Sequence, residues 1–577
     1  MLRPGYDVEA AIALIPEPAG NSLPAMNPTV LLLSGTLLFA MDSLAQPAAA
    51  GSPYRARDFG ALGDGTVLDT AAVQKTIDAC AAGGGGTVYL GPGVYLCGGL
   101  RLKTGVYLYL DAGCTLKGSP KNSDYEKCEA LGFKNDADSE TSFFHFSLIW
   151  AEDAERLGVV GEGTIDSNYV KRHGPKTIAF KRCRFVDIKG VRLLNAPNYN
   201  ISLLGTDFVN IDGVTILNGF ADGIDPDACR NVRISNCHIE SRDDAIVPKT
   251  SFSLGERRSC ENITVANCFL ASRANCFKLG TESGGDFKHI TVANCVMSNF
   301  AGEIPGANHA TSGISLESVD GANVEDVLIS NVSMNNACCP IFIRLGGRCR
   351  DRASSPGSLR NVSISHVVAL NASWTSSITG IPGYCPDGIT LSDLRLVYAS
   401  APLPGANKDA PVPEQEKQYP TANMFGPLPA YGLYVRHVKN LTLSNIELQC
   451  ADQFARVPLT GRKRNDYPYW QAPDTASNPS ATKDPGTALI ADDVIGFDID
   501  GLQACANTQG NPVLQFINVR HAFLRGSRAP AATGVYLDVR GSQTSGVDLI
   551  GNQLRDAKTL VHCAAEVGRK TVRVSQP

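Results

Sequence analysis

Three aspartates have the side-chain type and the spacing that acid–base catalysis needs: Asp222, Asp243 and Asp244. Asp222 and Asp243 lie 21 positions apart with no evident insertion between them. If the chain winds into stacked turns whose strands lie roughly 4.8 Å apart, residues one turn apart become neighbours. Crowded carboxylates repel one another, which raises at least one pKa and places an acid beside a base. This chemistry suits hydrolysis of a glycosidic bond, although these aspartates could instead only complete turns.

The elements that must position these aspartates are short strands that recur along the chain. A nine-residue motif is apolar at its second, fourth, seventh and usually ninth places, and its eight copies begin at Phe185, Phe208, Asn231, Asn262, His289, Asp326, Asn361 and Asn440. Within each copy, two strands meet at a small or amide-bearing corner. One unit cannot bury its own apolar face, so neighbouring copies must stack. The sequence therefore predicts an all-β fold, a right-handed parallel β-helix with loops of variable length between its strands.

A capping helix is predicted ahead of the repeats, from about Thr70 to Ala82, because three apolar residues share one of its faces and a glycine run follows it. Such a helix would cover the open strand edges of the first turn. We expect a single β-helix domain over residues 51–577. Its regular turns should cover about 182–450, with further turns and a terminal cover over 488–577.

Residues 1–50 are expected to form a leader. From Met26 the chain has a short apolar run followed by alanines, which resembles a secretory signal peptide. The run is too short to span a bilayer, and no other segment could span one. We therefore expect a secreted or periplasmic protein without a membrane span. The alternative is a disordered leader.

Charge and cysteine content narrow the class of protein further. A net charge of −5 argues against a nucleic-acid partner, which would need a basic surface. Three of the eighteen cysteines, Cys237, Cys268 and Cys295, share one place in the motif and are expected in an interior stack. The better disulfide candidates lie in loops: Cys338, Cys339, Cys349 and Cys385. No cysteine pattern indicates a zinc site.

Several segments resemble one enzyme family: GEGTID, ADGIDPDACRNVRI, the Asp243–Asp244 pair and GTESGG. Over about Tyr54 to Leu448 the chain resembles glycoside hydrolase family 28, the polygalacturonase family. The resemblance implies inverting hydrolysis of pectic chains on a right-handed parallel β-helix, without a metal or other cofactor. Asp222 matches the end of the family's Asn-Thr-Asp motif, and the pair matches its Gly-Asp-Asp motif.

The resemblance also implies roles for the three acids. Asp244 or Asp222 would give a proton to the leaving oxygen while the others activate water, and we assign Asp244 as the acid. Inversion of this kind is expected to need carboxyl groups roughly 6.5–9.5 Å apart.

Three motifs of the family are altered in this chain. Phe220 and Ala221 replace the residues before the first aspartate, and Arg242 replaces the glycine before the pair. Asn275 stands where the family has the histidine of Gly-His-Gly. Glu317 stands at the end of the family's Arg-Ile-Lys motif, where it would repel a galacturonate carboxylate.

Two interpretations of these changes remain open: either the sugar at the scissile bond is neutral, as in a pectic side chain or rhamnogalacturonan, or other cations bind a uronate. The candidate substrate-binding residues are Arg242, Lys249, Asn275, Lys278, Glu282, Glu317 and Arg344. Glu282 could bind sugar hydroxyls or only hold Lys278. The lysines could instead be solvated or form structural salt bridges.

The favoured function is an inverting, polygalacturonase-like hydrolase whose partner is a pectic or related polysaccharide, acting as a monomer. A non-catalytic carbohydrate-binding β-helix is the first alternative, because the uronate-binding motifs are changed. A polysaccharide lyase is the second, and it would need calcium or an arginine base.

Overall fold

The strands run parallel and stack in register, so that each turn of the chain lies on the turn before it. The computed structural model describes residues 53–169, 172–300, 310–350, 353–402, 411–457, 459–460, 472–473, 485–505 and 510–575. Within them, three parallel sheets form a β-helix, which confirms the predicted fold class, and parallel crossovers of this kind are right-handed. The predicted leader, residues 1–50, lies outside the described residues.

The first sheet, here called the site sheet, carries the predicted catalytic residues at one end of its strands. Its strands are Leu100–Arg101, Ser147–Glu152, Lys176–Lys181, Ile201–Leu204, Ile224–Asp227, Asn275–Leu279, Ala310–Ser318, Ala337–Leu345, Ser376–Thr379, Leu514–Ile517, Thr533–Arg540 and Ala557–Cys563, with the first parts of Ala430–Val457 and Thr487–Ala504. Isolated bridges of Ile246 and Lys249 continue the sheet between Ile224–Asp227 and Asn275–Leu279.

Two further sheets complete each turn. The second contains Tyr54–Arg55, Gly86–Leu90, Val106–Leu110, Glu155–Gly161, Arg184–Lys189, Asp207–Asp212, Arg230–Ser235, Cys260–Ala266, Arg520–Arg525, Ser545–Ile550 and Val572–Ser575. The third contains Asp64–Leu68, Gly93–Cys97, Cys114–Gly118, Thr164–Asp166, Arg192–Leu194, Thr215–Gly219, His238–Ser241 and Phe269–Ser272. Longer strands pass through both: Phe287–Asn299, Asn323–Asn335, Ser358–Ala372 and Asp387–Pro402, with later parts of Ala430–Val457 and Thr487–Ala504. Leu459–Thr460 and Ala472–Pro473 pair antiparallel.

The corners of the coil explain the sequence motif. The first residue of every predicted copy has a positive φ, from 50° at Asn440 to 59° at Asn231. Asparagine tolerates this left-handed conformation better than most residues other than glycine. At the next corner the asparagine amides also bond from turn to turn, as Asn331 Nδ2 does to Asn294 Oδ1 at 3.1 Å. Corner chemistry thus accounts for the asparagines of the repeat.

The motif missed turns in which glycine stands at the corner. Gly388 and Gly496 have φ of 67° and 73°. The residue after Gly388, Ile389, pairs with both Val362 and Leu441, so an additional turn lies in the long interval before Asn440.

The interior holds stacked apolar rows. Cys237, Cys268 and Cys295 are 2%, 3% and 2% exposed, which confirms the predicted interior stack. The disulfide prediction is wrong, because Cys338, Cys339, Cys349 and Cys385 form no disulfide among the described residues. Cys338 and Cys339 pack in an apolar cluster instead.

The helix Thr70–Ala82 confirms the predicted cap, with Val73, Ile77 and Cys80 buried against the core. Short 3₁₀ helices form at Ala56–Phe59, Asn122–Asp124 and Ser139–Thr141. Among the described residues, no helix has the length and apolar character needed to cross a membrane.

Candidate active site

The three predicted catalytic aspartates meet at one end of the site sheet. Asp222 precedes the strand Ile224–Asp227, and Asp243 and Asp244 stand one turn later. One carboxylate oxygen from each lies within 4.8 Å of those of the other two. The predicted proximity is therefore observed. These oxygens lie closer together than the roughly 6.5–9.5 Å expected between the carboxyl groups for inversion.

Close backbone contact between successive turns fixes this geometry. Gly223 N donates to Asp244 O at 2.9 Å, and Asp244 N donates to Asp222 Oδ1 at 3.2 Å. A Cβ on Gly223 would lie 2.4 Å from the carbonyl oxygen of Ala245. Only glycine therefore allows the two turns to approach this closely.

Each of the three aspartates has its own cationic neighbour. Lys249 Nζ lies 2.8 Å from Asp222 Oδ2, and it also lies 2.6 Å from Asp225 Oδ1. Lys278 Nζ lies 3.3 Å from Asp244 Oδ2. These two candidate substrate-binding lysines therefore lie beside the acids, as ion-pair partners of buried carboxylates.

The third aspartate is held by a residue that sequence reasoning missed. Arg172 Nη1 lies 2.6 Å from Asp243 Oδ2, and Arg172 Nη2 lies 2.6 Å from Glu140 Oε2. Arg172 comes from a loop before the strand Lys176–Lys181, where no repeat pattern marks it. An ion pair with both acids keeps the guanidinium beside the reaction centre.

Burial changes the acidity of these groups. Desolvation raises the pKa of Asp244 to about 6, with nearby Asp222 and Asp243 adding to the rise and Lys278 opposing it. Desolvation also raises the pKa of Asp222, against the attraction of Lys249, and Asp225 contributes to the rise. The site thus contains carboxyl groups that hold protons at higher pH than ordinary aspartates do.

Asn275 fills the position of the family's histidine and contacts Asp244 directly. Its Nδ2 donates to Asp244 Oδ1 at 2.6 Å, and its backbone N donates to the same oxygen at 3.0 Å. Ser312 Oγ donates to Asn275 Oδ1, which fixes the orientation of the amide. Asn275 is therefore placed to orient Asp244.

Two of the altered motif positions contact each other. Arg242 lies over the ring of Phe220, 4.0 Å from its centroid, and Arg242 Nη2 donates to Asn218 Oδ1 at 2.9 Å. The two replacements thus form one cation–π contact beside the triad. The structure does not place Arg242 in the pocket that holds the three acids.

Glu317 acts on the site through Lys278. Its side chain is 1% exposed, and Glu317 Oε2 lies 3.7 Å from Lys278 Nζ. Ser315 Oγ donates to Glu317 Oε1 at 2.7 Å. Desolvation raises the pKa of Glu317 to about 7, while Lys278 opposes that rise. Glu317 thus attracts the same ammonium group that pairs with Asp244, and it does not line the pocket.

Arg344 does not line the pocket, so its prediction as a substrate-binding residue was wrong. It is 1% exposed, and its guanidinium donates to the carbonyl oxygens of Gly380 and Glu414, each at 2.8 Å. The residues 411–428 that supply Glu414 cover it. Its role is to hold that segment on the sheet.

The acids line a polar pocket with an empty volume of about 320 Å³. Its lining consists of Asp138, Arg172, Tyr199, Asp222, Asp243, Asp244, Lys249, Lys278, Thr281, Glu282 and Tyr419. Glu282 is 4% exposed, and its Oε1 has no hydrogen-bond partner among the described residues. The sequence analysis missed three lining residues that lie outside the motif: Arg172, Tyr199 and Tyr419. It also missed Asp225, although that residue belongs to the segment ADGIDPD.

The three aspartates stand close enough to share a metal ion. Their surroundings suit that role poorly, because Lys249, Lys278 and Arg172 already neutralise them at 2.8, 3.3 and 2.6 Å. A divalent cation would add charge to carboxylates that are already paired. The donor set therefore fits proton transfer better than metal binding.

The raised pKa of Asp244 leads to a testable pH dependence. If Asp244 must be protonated, we expect kcat/KM to fall about tenfold per pH unit above about pH 6. The same group should stabilise the fold most below its unfolded value of 3.8 and lose that contribution as the pH rises through 6. A pH–rate profile with urea unfolding at each pH tests both statements. A flat pH–rate profile from pH 6 to pH 8 would contradict the first statement, and an unfolding free energy that does not fall between about pH 4 and pH 6 would contradict the second.

Two family models match parts of this chain. Residues 159–401, which contain the three aspartates, match the family model of glycosyl hydrolases family 28. Residues 54–142 match a model described as rhamnogalacturonase A/epimerase, pectate lyase-like. The triad thus lies in the part that matches the hydrolase model.

Individual relatives are distant. A probable polygalacturonase of Vitis vinifera is 24% identical over 375 residues, covering 59% of this chain and 74% of that protein. An endo-polygalacturonase of Pectobacterium carotovorum subsp. carotovorum is 25% identical over 305 residues, covering 48% and 71%. The solved structure of an exopolygalacturonase from Thermotoga maritima shares the fold at 19% identity, with a TM-score of 0.53 over 71% of this chain and 96% of that one. The match over residues 159–401 and these distant relatives support the predicted resemblance to glycoside hydrolase family 28, with this chain as a divergent member.

Proposed function

We propose that the protein hydrolyses glycosidic bonds of a pectic or related polysaccharide by direct, inverting displacement. The observation that carries this proposal is the triad itself: three carboxyl groups within 4.8 Å at the base of one polar pocket. Asp244, whose pKa is raised to about 6, supplies a proton near neutral pH. The sequence from Met26, which resembles a secretory signal peptide, supports the proposed export to where such polymers occur.

In the proposed reaction, Asp244 gives its proton to the leaving oxygen as the glycosidic bond breaks. Asp243, paired with Arg172 at 2.6 Å, acts as the carboxylate that takes a proton from the attacking water. The water oxygen forms the new bond to the anomeric carbon. Because the triad is compact, we place this water against Asp222 and Asp243 together, not in a wide gap between acid and base.

The charges of the pocket favour a neutral sugar beside the triad. The cationic residues that line it, Arg172, Lys249 and Lys278, are all paired with acids. A uronate carboxylate would have to compete with those acids. By contrast, the unpartnered Oε1 of Glu282 can accept a hydrogen bond from a sugar hydroxyl.

The experiment compares polygalacturonate, its methyl ester, its carboxyl-reduced form, rhamnogalacturonan and neutral pectic side chains. We expect saturated products with new reducing ends, unchanged by a chelator, and faster cleavage of carboxyl-reduced than of unmodified polygalacturonate. Proton NMR of the first product should show the inverted anomer.

Each outcome bears on a different part of the proposal. Absence of new reducing ends on every glycan would contradict hydrolysis and favour the carbohydrate-binding alternative. Unsaturated, ultraviolet-absorbing products that require calcium would favour a lyase. Preference for the unmodified uronate would overturn the neutral sugar alone, and retention of configuration would overturn direct displacement alone.

A further inference from the structure

Two covers, each anchored by apolar packing, lie on the site sheet on either side of the triad. The first cover, residues 119–146, places Phe144 in a buried cluster with Trp150, Ala179 and Leu204 of the site sheet. Leu204 belongs to the strand directly before Ile224–Asp227, which Asp222 precedes. The sheet is therefore occupied up to the turn next to the triad.

Charged contacts fix the first cover in place. Glu129 Oε1 lies 3.5 Å from Lys181 Nζ, at the end of a site-sheet strand. Lys176 Nζ lies beneath the ring of Phe144, 4.0 Å from its centroid, and is fully buried. A bound glycan would have to break these buried contacts to pass along the sheet here.

The second cover, residues 411–428, closes the opposite direction. Met424, Phe425 and Leu428 pack in a buried cluster with Phe342 and Tyr434 of the site sheet. Beneath it, Arg344 donates to the carbonyl oxygens of Glu414 and Gln415 at 2.8 and 3.1 Å. This cover also reaches back to the pocket, because Tyr419 OH accepts a hydrogen bond from Thr281 Oγ1 at 2.9 Å.

A short part of the site sheet lies between the two buried clusters. It runs from Ile224–Asp227 through the Ile246 bridge and Asn275–Leu279 to Ala310–Ser318, the strand directly before the one that carries Phe342. Those four turns span three strand spacings, or about 14 Å. A long polysaccharide lying along the sheet would meet a buried cluster in both directions.

We propose that the site accepts only the end of a glycan chain or of a side branch, so that the protein is an exo-acting hydrolase. This inference rests on the hydrolase function proposed above. The terminal sugars enter the pocket, and the rest of the chain leaves it towards solvent. The two covers are then the elements that determine where along the polymer cleavage occurs.

The test uses size-fractionated polygalacturonate, carboxyl-reduced polygalacturonate and rhamnogalacturonan, each reduced with borohydride so that every new reducing end comes from cleavage. At equal molarity of chains, we expect an initial rate that does not change with chain length. The first products should be mono- or disaccharides, with little loss of viscosity.

The outcomes separate this inference from the function beneath it. A rate that rises in proportion to chain length, with long fragments and an early loss of viscosity, would overturn exo action and leave hydrolysis standing. No reducing ends from any fraction, and none from neutral pectic side chains, would overturn hydrolysis and the inference with it. Exo action would predict the same length independence on whichever of the three glycans is cleaved.

Discussion

Replacing Asp244 with asparagine should lower kcat by about a hundredfold to ten-thousandfold, the usual contribution of a positioned proton donor. The amide keeps the shape of the side chain but has no proton to give to the leaving oxygen. Asn275 and Lys278 now contact the carboxylate at 2.6 and 3.3 Å, and the uncharged amide should weaken both contacts. The fall of kcat/KM above about pH 6 should also disappear from the pH profile.

The matched control is Asp326→Asn. This substitution makes the same change of carboxylate to amide, but at a corner with φ of 57°, where other turns have asparagine. We expect activity and unfolding free energy close to those of the parent protein. If Asp244→Asn retained kcat within about tenfold and kept its alkaline pH limb, Asp244 would not be the acid.

Replacing Lys249 with methionine should cost about 3–5 kcal/mol of unfolding free energy, the usual effect of removing one partner of a buried ion pair. Lys249 is 4% exposed and serves both Asp222 and Asp225, at 2.8 and 2.6 Å. Without it, two buried carboxyl groups lose their cation. Their pKa values, already raised by burial, should rise further.

The sign of the pH dependence follows from those raised pKa values. A buried acid that binds protons more strongly in the folded state stabilises it at low pH and loses that effect as the pH rises. The deficit of Lys249→Met should therefore be larger at pH 7 than at pH 5 in urea unfolding. Adding Asp225→Asn should recover part of it, because one buried carboxylate is removed.

Lys189→Met is the control for the loss of a lysine. Lys189 Nζ lies 2.6 Å from Asp187 Oδ1, but its side chain is 44% exposed, so the expected cost is below about 1 kcal/mol. Equal losses in the two variants would show that the buried pair has no special role. A deficit of Lys249→Met that grows at pH 5 would contradict the direction of the pKa shifts.

Much of the fold could be predicted because its rule is local. A left-handed corner every few residues selects asparagine, and the interior selects alternating apolar residues, so copies such as those at Asn231 and Asn262 resemble each other. Gly388 has the same left-handed conformation at its corner but no side-chain amide, so that copy was missed. The disulfide prediction failed because Cys338 and Cys339 were judged by loop context, although they fill an apolar cluster.

The site was only partly predictable for the same reason. Asp222 and Asp244 lie within the repeating turns, so their proximity followed from the period of the coil. Arg172 and Tyr419 reach the pocket from long connections, whose path depends on contacts far along the chain. Nothing in the sequence distinguished the covered Arg344 from the pocket-lining Lys278, because only the fold of residues 411–428 separates them.

The loops of the coil vary in length from turn to turn without changing the strand register. Val232, Ile263 and Ile290 pair directly in successive turns, although 31 and then 27 residues separate them. A loop between two strands can therefore gain or lose residues without displacing the three aspartates. New substrate contacts can then arise by insertion in a loop while the proton-transfer residues keep their positions.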